Sequence, residues 1–302
     1  MSQQSLPQIS VICCAIEPAG TAYIFPFLKS VYDSAYPKSR LQVIVQNNGI
    51  DSISKRKIRQ EFPNVLIIGN GKNLNFATGI NAAGRKATGT WIFVVNIDTQ
   101  VDKNTFKYLI NATHENVSIG IAAPIVYSLV NKKQLSNQDI PVINFSPLTG
   151  SVKAFSTIEL EQLDRVTAVL WVSGCGFLIR RALWRKLNGF DEQFVAYWED
   201  ADLGIRASTY GVSIVIVPKA RMWHYGSVVY GKNTPQKTYR LMRSSLYFTN
   251  KHTNVAGKIW TSIYLSIVCV VKLFKLIVNV DRLTQHAYLQ AVYDHYVRKN
   301  LP

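Results

Sequence analysis

Two short segments of this sequence contain acidic residues of the type and spacing that catalysis requires. The first is Asn96-Ile97-Asp98, which directly follows the apolar run from Trp91 to Val95. If that run is a strand, Asp98 lies at the carboxyl edge of a sheet. A hard divalent cation such as Mg²⁺ or Mn²⁺ prefers oxygen ligands there and can hold a diphosphate. The simpler alternative is that Asp98 only caps a helix starting near Asp102.

The second cluster runs from Trp198 to Asp202 and contains Glu199 and Asp200. Carboxylates at a helix start are partly explained by the helix dipole, and Asp202 forms an i,i+4 pair with Arg206. The neighbouring aromatic residues, however, provide apolar surroundings that can raise the pKa of a carboxyl group toward that of a working base. Because Glu199 and Asp200 point about 100° apart on a helix, they can serve different tasks.

One histidine is expected near the same place. His224 follows the last predicted strand, residues 213–217, and stands between Trp223 and Tyr225. A single histidine is often a structural residue, but a position at the edge of the sheet favours a part in the site.

Short apolar runs alternate with helical patterns, and this alternation predicts the elements that position the three candidates. It implies an α/β fold with a mostly parallel sheet covered on both faces, whose ligands bind outside the carboxyl ends of the strands. Between about 125 and 166 the pattern is irregular and predicts a loop-rich insertion over the site. The predicted strands are residues 9–15, 41–45, 65–68, 91–95, 119–122, 169–172, 177–179 and 213–217, and the predicted helices are about 25–32, 76–87, 103–114, 181–187 and 199–210.

Length and composition favour a large folded protein in the cytoplasm. The 302 residues are 48% hydrophobic, which is enough for a sizeable core. Residues 1–8 are polar and lack the apolar stretch of a secretory signal. The cysteines have neither the spacing of a zinc site nor that of a disulfide framework and are expected to be reduced. They are Cys13, Cys14, Cys175 and Cys269.

The net charge of +16 indicates an anionic partner, and its distribution narrows the choice. No acidic residue lies between Asp202 and Asp281. A solvated basic surface is the simplest explanation, and nucleic acid is another partner, but no nucleic-acid-binding motif accompanies the charge. An anionic membrane surface fits better, and we expect no nucleic-acid partner. The basic residues of the stretch are Arg206, Lys219, Arg221, Lys232, Lys237, Arg240, Arg243, Lys251, Lys258, Lys272 and Lys275.

Residues 229–302 are predicted to form a separate basic, helical region that associates with the membrane. Residues 259–271 are nearly all apolar, which is short of the roughly 20 residues of a spanning helix. On a helix, the polar residues from Ser262 to Arg282 form one narrow stripe, as in a helix that lies in the membrane interface with its basic edge toward headgroups. The alternatives are a helix packed on the domain and a tilted or re-entrant span. The stripe consists of Ser262, Ser266, Cys269, Lys272, Lys275, Asn279 and Arg282.

The order of these pieces resembles the family 2 glycosyltransferases of the GT-A fold, especially the non-processive rhamnosyltransferase-like members. The resemblance covers residues 9–227, and residues 1–228 are accordingly predicted as one GT-A domain. No Gln-x-x-Arg-Trp motif follows the second acidic cluster; that motif accompanies processive polymerases, so one or a few sugars per encounter are expected. The matching pieces are residues 9–12, 47–49, 75–77 with Gly79 and Asn81, 96–98, 173–180, 189–194, 198–202 with Arg206, Pro218, and 224–227.

The resemblance implies a role for each matching position. Asp98 matches the second acid of the family's DxD-type motif and would coordinate the metal that holds the donor diphosphate. Asp200 matches the acid proposed as catalytic base in the ED motif, with Glu199 placed to contact the acceptor or to support the base. His224 matches a histidine that approaches the metal or the diphosphate. The implied donor-binding residues are Ala15, Glu17 and Asn47 for the base and ribose, the stretch from Asn75 to Asn81 for the nucleotide side, and Asn96 in the DxD-type motif.

Two departures from the family pattern concern the donor. Asn47 stands where many members carry an aspartate that recognises the nucleobase, and Asn96 replaces the first acid of the DxD motif, which leaves fewer charges on the metal. Both give weight to an alternative, a non-catalytic scaffold that binds a nucleotide or glycan at the membrane. The retained acids and His224 argue against it. A nucleotidyltransferase is disfavoured because residues 17–20 do not form the Gly-rich basic loop that it needs.

The resemblance thus implies an inverting, metal-assisted glycosyltransferase that uses Mn²⁺ or Mg²⁺ and a nucleotide-diphosphate sugar. We expect a hexosyltransferase, with rhamnose among the candidate sugars, acting on a saccharide or lipid-linked acceptor in surface polysaccharide synthesis. Its expected location is the inner face of the cell membrane, as a peripheral protein.

Overall fold

A nine-stranded sheet forms the centre of the computed structural model, which describes residues 6–15, 19–194, 196–226, 234–278 and 281–297. The strands are β1 (Ile9–Ala15), β2 (Leu41–Asn47), β3 (Val65–Ile68), β4 (Trp91–Val95), β5 (Thr99–Val101), β6 (Ile119–Ser128), β7 (Val142–Phe145), β8 (Val152–Ala154), β9 (Thr167–Ala168), β10 (Gly176–Arg180) and β11 (Ser213–His224). The helices are α1 (Ala19–Tyr32), α2 (Ser52–Glu61), α3 (Phe76–Arg85), α4 (Thr105–Glu115), α5 (Thr157–Glu161), α6 (Arg181–Lys186), α7 (Glu199–Ser208), α8 (Pro235–His252), α9 (Val255–Ile277) and α10 (Arg282–Tyr296).

The strand order is β3-β2-β1-β4-β10-β6-β11-β5, with β9 also paired to β11. Strands β1 to β4 are parallel to one another, and β6 is parallel to β11. Because β10 is antiparallel to both β4 and β6, these two strands point the same way. The carboxyl ends of β1, β2, β4, β6 and β11 therefore lie at one edge, and the predicted α/β class with a mostly parallel sheet is confirmed.

Helices cover both faces of the sheet because the strands are apolar on both sides. In β1, Val11 packs into one core cluster with Phe27 of α1 and Phe106 of α4. Its neighbour Ile12 packs into the other cluster, with residues of α3, α6 and α7 such as Trp184. No more than 1% of the surface is exposed in any of Val11, Ile12, Phe27 and Phe106.

The strand predicted at residues 169–172 is wrong. In this segment Thr167 and Ala168 pair with β11, the Val169 amide donates to the Ile214 carbonyl at 2.9 Å, and the chain then leaves the sheet. The Leu170 amide donates to the Val142 carbonyl at 2.7 Å, and Trp171 forms a bridge with the same residue. The apolar run is therefore buried against the insertion, which contains the small β7-β8 sheet and α5.

Helix α8 packs into the domain that carries the sheet. Phe248 is 1% exposed and lies 5.3 Å from the ring of Phe145 and 6.0 Å from that of Trp171. The Ser244 hydroxyl donates to the carbonyl of Ala196 at 2.7 Å, and His252 contacts Asp202 at 2.8 Å. The chain beyond residue 228 is therefore in contact with the sheet domain through α8, and the boundary at that residue stays a prediction.

Helix α9 is longer than the apolar run from which it was predicted. Its 23 residues are long and apolar enough to cross a membrane, and only 6% of its most apolar stretch is buried. One side packs on the protein through Gly257 and Leu265, while Lys272 lies 4.9 Å above the Tyr288 ring of α10. Lys272 of the predicted polar stripe therefore contacts α10, and the orientation of the stripe toward headgroups stays a prediction. Asn279, another of its residues, lies outside the described residues.

Candidate active site

Asp98 lies at the carboxyl edge of the sheet, just beyond the fully buried strand β4. The turn is fixed by three hydrogen bonds: Asn96 N to Cys175 O at 3.0 Å, Tyr225 N to Asp98 O at 2.9 Å, and Thr99 Oγ1 to Asn96 O at 2.7 Å. The residue that precedes α4 as its N-cap is Asn104. The structure therefore excludes the alternative in which Asp98 serves only as a helix cap.

His224 ends strand β11 and brings its imidazole to the same turn. Its Nε2 lies 3.3 Å from Asp98 Oδ1 and 3.5 Å from the Asn96 side-chain nitrogen. Its Nδ1 lies 2.7 Å from Asp139 Oδ2. The three residues that the sequence placed at this edge, Asn96, Asp98 and His224, are thus in contact.

Asp139 is a residue of this site that sequence reasoning missed. It lies in the loop-rich insertion, is 6% exposed, and accepts hydrogen bonds from the hydroxyls of Ser136 and Ser173. No motif or periodicity marks it, and the only signal was the expectation that the insertion covers the site.

Asp139 and His224 form a buried ion pair. Burial by itself raises the pKa of Asp139, but the charge of His224 and hydrogen bonds from His224 and the two serines lower it to about 2. Burial has the opposite effect on the base His224 and lowers its pKa. The charge of Asp139 outweighs this effect, so the pKa of His224 lies well above its ordinary value. Each group therefore stabilises the charged form of the other.

Two sets of ligands are available for a metal ion at this edge. Potential ligand atoms of Asp139, Cys175 and His224 lie within 4.8 Å of one another. Burial raises the pKa of Cys175 to about 12, so its thiol stays neutral, and Mg²⁺ and Mn²⁺ prefer oxygen to sulfur. The pair Asp98 and His224 fits better, because Asp139 binds Nδ1 and leaves Nε2 facing Asp98, as in carboxylate–histidine–metal arrangements. A metal ion bound there would displace the Nε2 proton of the charged imidazole.

The acidic cluster begins α7 after an unusual turn. Tyr197 and Trp198 both have φ of 69°, in the left-handed region that residues other than glycine rarely adopt. The Trp198 ring lies 4.7 Å from that of Phe248, so α8 helps to hold this conformation. Strained backbone of this kind is common where a functional side chain must be aimed.

Glu199 and Asp200 occupy different environments, as the sequence predicted. Asp200 is half-buried, and its two oxygens accept hydrogen bonds from the amides of Gly174 at 2.7 Å and Ala201 at 2.8 Å. Glu199 is 6% exposed, and its Oε2 is buried without a partner among the described residues. Burial and then the charge of Asp200 raise the pKa of Glu199 to about 8, while burial also raises that of Asp200. Burial therefore disfavours the charged form of both carboxyl groups, and the Asp200 charge adds to this effect at Glu199.

The turn from Ser173 to Cys175 connects the two halves of the site. The Ser173 hydroxyl donates to Asp139 Oδ1 at 2.7 Å, and the next residue, Gly174, donates its amide to Asp200. A Cβ atom added at Gly174 would lie 3.5 Å from Asp200 Oδ2. Adjacent residues therefore position both parts of the site: Ser173 acts on His224 through Asp139, and Gly174 holds the candidate base Asp200.

The residues predicted to bind the donor differ in what they contact. Asn47 Oδ1 accepts from the amides of Gly49 and Ile50, and the Ala15 carbonyl accepts from Asn48, so both residues build the turn beyond β2.

The predicted donor-binding residues around α3 have other contacts. Asn75, with φ of 62°, precedes α3 at the same edge. Asn81 donates to the Phe190 carbonyl and accepts from its amide, so it links α3 to the loop after α6, and its contact with the donor stays a prediction. Glu17 lies outside the described residues.

The sequence model of the family described as "Glycosyltransferase like family 2" matches residues 7–246. The chain belongs to this family. Within family 2, it is similar to N-acetylglucosaminyl-diphospho-decaprenol L-rhamnosyltransferase of Mycobacterium tuberculosis, with 27% identity over 206 residues. The match covers 61% of this chain and 66% of that relative, slightly less than two thirds of its length. Rhamnosyltransferase WbbL of Escherichia coli is 27% identical over 196 residues, which cover 61% of this chain and 72% of the relative.

Solved structures show the fold of this family 2 member. A mannosyltransferase from Pyrobaculum calidifontis in complex with GDP-Man and Mn²⁺ matches with a TM-score of 0.61 at 12% identity, covering 98% of this chain and 89% of that one. GalNAc-T7 with UDP, GalNAc and Mn²⁺ also has a TM-score of 0.61, at 13% identity, with coverage of 80% and 48%. The predicted GT-A fold is confirmed.

Proposed function

We propose that this family 2 member transfers a sugar from a nucleotide-diphosphate donor to an acceptor hydroxyl, with inversion at the anomeric carbon. The observation that carries the proposal is the turn at residues 173–175, which holds the candidate base Asp200 and the partner of His224 within one site. A single displacement requires a base and a diphosphate-binding edge within one site.

Asp200 is the group that accepts the proton of the acceptor hydroxyl. As the hydroxyl oxygen attacks, the bond from the anomeric carbon to the diphosphate oxygen breaks, and the diphosphate leaves with the electron pair. The backbone amides of Gly174 and Ala201 hold the carboxylate of Asp200 in place, and protonated Glu199 beside it adds no second negative charge. Asp98 and His224 would hold a divalent cation, Mn²⁺ or Mg²⁺, whose contribution when bound is to stabilise charge on the departing diphosphate.

The similar proteins support the classes of donor and acceptor. Two of the similar structures were solved in complex with UDP and GalNAc or with GDP-Man, each with Mn²⁺. The names of the bacterial relatives specify rhamnosyl transfer, and one names a diphosphate-linked lipid saccharide as its acceptor. We therefore propose a hexosyltransferase, with rhamnose the first sugar to test, that acts on a lipid-linked saccharide in the synthesis of a surface polysaccharide.

The C-terminal helices support a location of this reaction at a membrane surface. Helix α9 is roughly 34 Å long, enough to cross the roughly 30 Å hydrocarbon layer. Helix α10 then returns to α8, where Tyr239 donates to Asp294 at 2.8 Å. If α9 crossed the bilayer, α10 would run back through it with polar residues such as Gln285 and Asp294, at high cost. We infer that α9 lies in the interface of the inner leaflet, with the body of the protein in the cytoplasm.

The test is sugar transfer by the purified protein from a panel of nucleotide sugars to membrane lipid extracts, with Mn²⁺ or with a chelator. We expect metal-dependent transfer from one donor. Asp200→Asn should bind that donor with unchanged affinity and lose about 10²- to 10⁴-fold in turnover. Asp33→Asn, in the exposed turn that follows α1, is the matched control. Donor binding without transfer from any sugar would favour the scaffold, and unchanged turnover of Asp200→Asn would refute the assignment of the base.

A further inference from the structure

A large polar cleft lies between the domain that carries the sheet and the C-terminal helices. Its volume is about 1290 Å³. The start of α3 and residues 191–193 form one wall, and α8, α9 and α10 form the others. Residue 193 is separated by only a few residues from the turn that aims Asp200, so the cleft adjoins the proposed site of reaction.

The acidic side chains that line this cleft are engaged with neighbours. Asp191 accepts hydrogen bonds from Tyr247 and Lys251, at 2.9 Å and 2.6 Å. Glu192 accepts from Asn81 and Thr78, and Asp294 accepts from Tyr239 and Gln290. These carboxylates are therefore held at the walls by residues of the protein itself.

Two basic side chains that line the cleft differ in this respect. Arg243 comes from α8 and Lys258 from α9. Across the described ranges, no carboxylate lies within 4.0 Å of either charged group. Two cations from different helices that face one cavity without an acidic partner are suited to an anionic ligand, and phosphate oxygens are the acceptors that arginine and lysine bind most strongly.

The surroundings of the cleft indicate what else the ligand contains. Lys258, Thr261 and Ser262 of α9 line it, while the exposed apolar residues Ile259 and Ile263 extend the same helix toward the membrane. On the opposite side, Ser244 lines the cleft and donates to Ala196, which precedes the strained turn before Asp200. The cleft therefore lies between α9 and the segment that leads to Asp200, although Asp200 itself does not line it.

We propose that this cleft binds the diphosphate of the lipid-linked saccharide acceptor, with Arg243 and Lys258 as the phosphate-binding residues. The sugar then extends toward Asp200 and the lipid chain follows α9 into the membrane. This assignment rests on the proposed function, because it names the site of the acceptor in that reaction. It adds a second diphosphate site, apart from the donor edge at Asp98.

The probe is farnesyl diphosphate, a short prenyl diphosphate, titrated calorimetrically into the full chain in detergent. A chelator is present and no nucleotide sugar is added, so that metal-dependent donor binding does not contribute. We expect Arg243→Gln and Lys258→Gln each to weaken binding about tenfold or more, as expected for loss of a charge-assisted contact. Arg243→Lys keeps the charge and should lose less. Arg59→Gln on α2 and Lys275→Gln near the end of α9 are the matched controls and should bind as the unaltered protein does.

Two further titrations distinguish binding of the diphosphate group from binding of the prenyl chain, and the cleft from the candidate base. Inorganic pyrophosphate should bind at least tenfold more weakly than farnesyl diphosphate, because it lacks the chain that contacts α9. Equal binding of the two, or unchanged binding by both glutamine variants, would overturn the proposal. Asp200→Asn should bind farnesyl diphosphate normally. If no sugar is ever transferred while this binding and its dependence on Arg243 persist, the proposed function fails and the cleft remains an anion site for lipid diphosphates.

Discussion

Asp139 Oδ2 lies 2.7 Å from Nδ1 of His224, so a residue of the loop-rich insertion orients a side chain at the end of the last strand. Residues that orient a metal-binding histidine in this way typically account for about 10- to 100-fold in metal affinity. Asp139→Asn should therefore weaken Mn²⁺ binding by that factor, measured by calorimetry or by electron paramagnetic resonance.

The matched control for this change is Asp164→Asn, an exposed acid of the same insertion. It should bind Mn²⁺ as the unaltered protein does. If both variants bind Mn²⁺ normally, His224 does not depend on Asp139, and the assignment of Asp98 and His224 as ligands loses its main support.

Glu199 makes stability depend on pH. Its pKa in the folded protein is about 8, above the ordinary value of 4.5, because burial and the Asp200 charge disfavour ionisation. Below about pH 4.5 the residue is neutral in both the folded and the unfolded state and costs nothing. As pH rises from 4.5 to 8, the unfolded state releases the proton and the folded state retains it, so stability falls.

Glu199→Gln removes this ionisation and keeps a neutral amide of similar size. Its melting temperature relative to the unaltered protein should rise between pH 5 and pH 8, reaching about 5 °C or more at pH 8. Turnover at pH 7 should stay within about tenfold, because protonated Glu199 is the active form. A difference in melting temperature that does not change with pH would refute the raised pKa.

Phe248 of α8 tests whether that helix belongs to the domain of the sheet. Its ring is almost fully buried between Phe145, Trp171 and Trp198. Phe248→Ala should lower the free energy of unfolding by about 3–5 kcal/mol, measured by urea denaturation. Leu241→Ala is the control within the same helix, since Leu241 is 42% exposed. If the two variants cost the same, α8 does not pack as the structure shows.

The exposed apolar face of α9 should determine binding to vesicles. Ile263 and Ile267 are 53% and 62% exposed. Replacing both by serine should reduce binding to vesicles of phosphatidylcholine and phosphatidylglycerol about tenfold or more, measured by sedimentation, with the melting temperature unchanged. Ile53→Ser on α2, a residue that is 74% exposed, is the control. Unaltered vesicle binding by the α9 variant would refute the interfacial location.

The parts of the site that could be predicted from the sequence are those fixed by the ends of regular strands. Asp98 follows a five-residue buried strand whose bounds were predicted without error, and His224 ends the strand predicted from residue 213. Since parallel strands end at one edge, their meeting followed from the alternation of strands and helices. The separation of Glu199 from Asp200 also followed from helical geometry.

The parts that could not be predicted depend on contacts between segments distant in sequence. Asp139 reaches His224 across 85 residues from a segment without periodicity. The apolar run at 169–172 had the composition of a strand, but beyond Val169, which still bonds the sheet, Leu170 and Trp171 pair with Val142 of the insertion. Burial of such a run can be expected from its residues, whereas the surface that buries it cannot.

The packing of α8 has a practical consequence for producing a soluble form of this enzyme. A fragment that ends at residue 228 would leave Trp171 and Phe145 uncovered and Asp202 without His252, so it should aggregate on expression. A fragment that ends at Asn254 keeps these contacts and omits the apolar helix. It should remain in solution without detergent, keep the proposed metal and nucleotide sites, and be the better material for crystallisation, although it lacks the cleft walls that α9 and α10 provide.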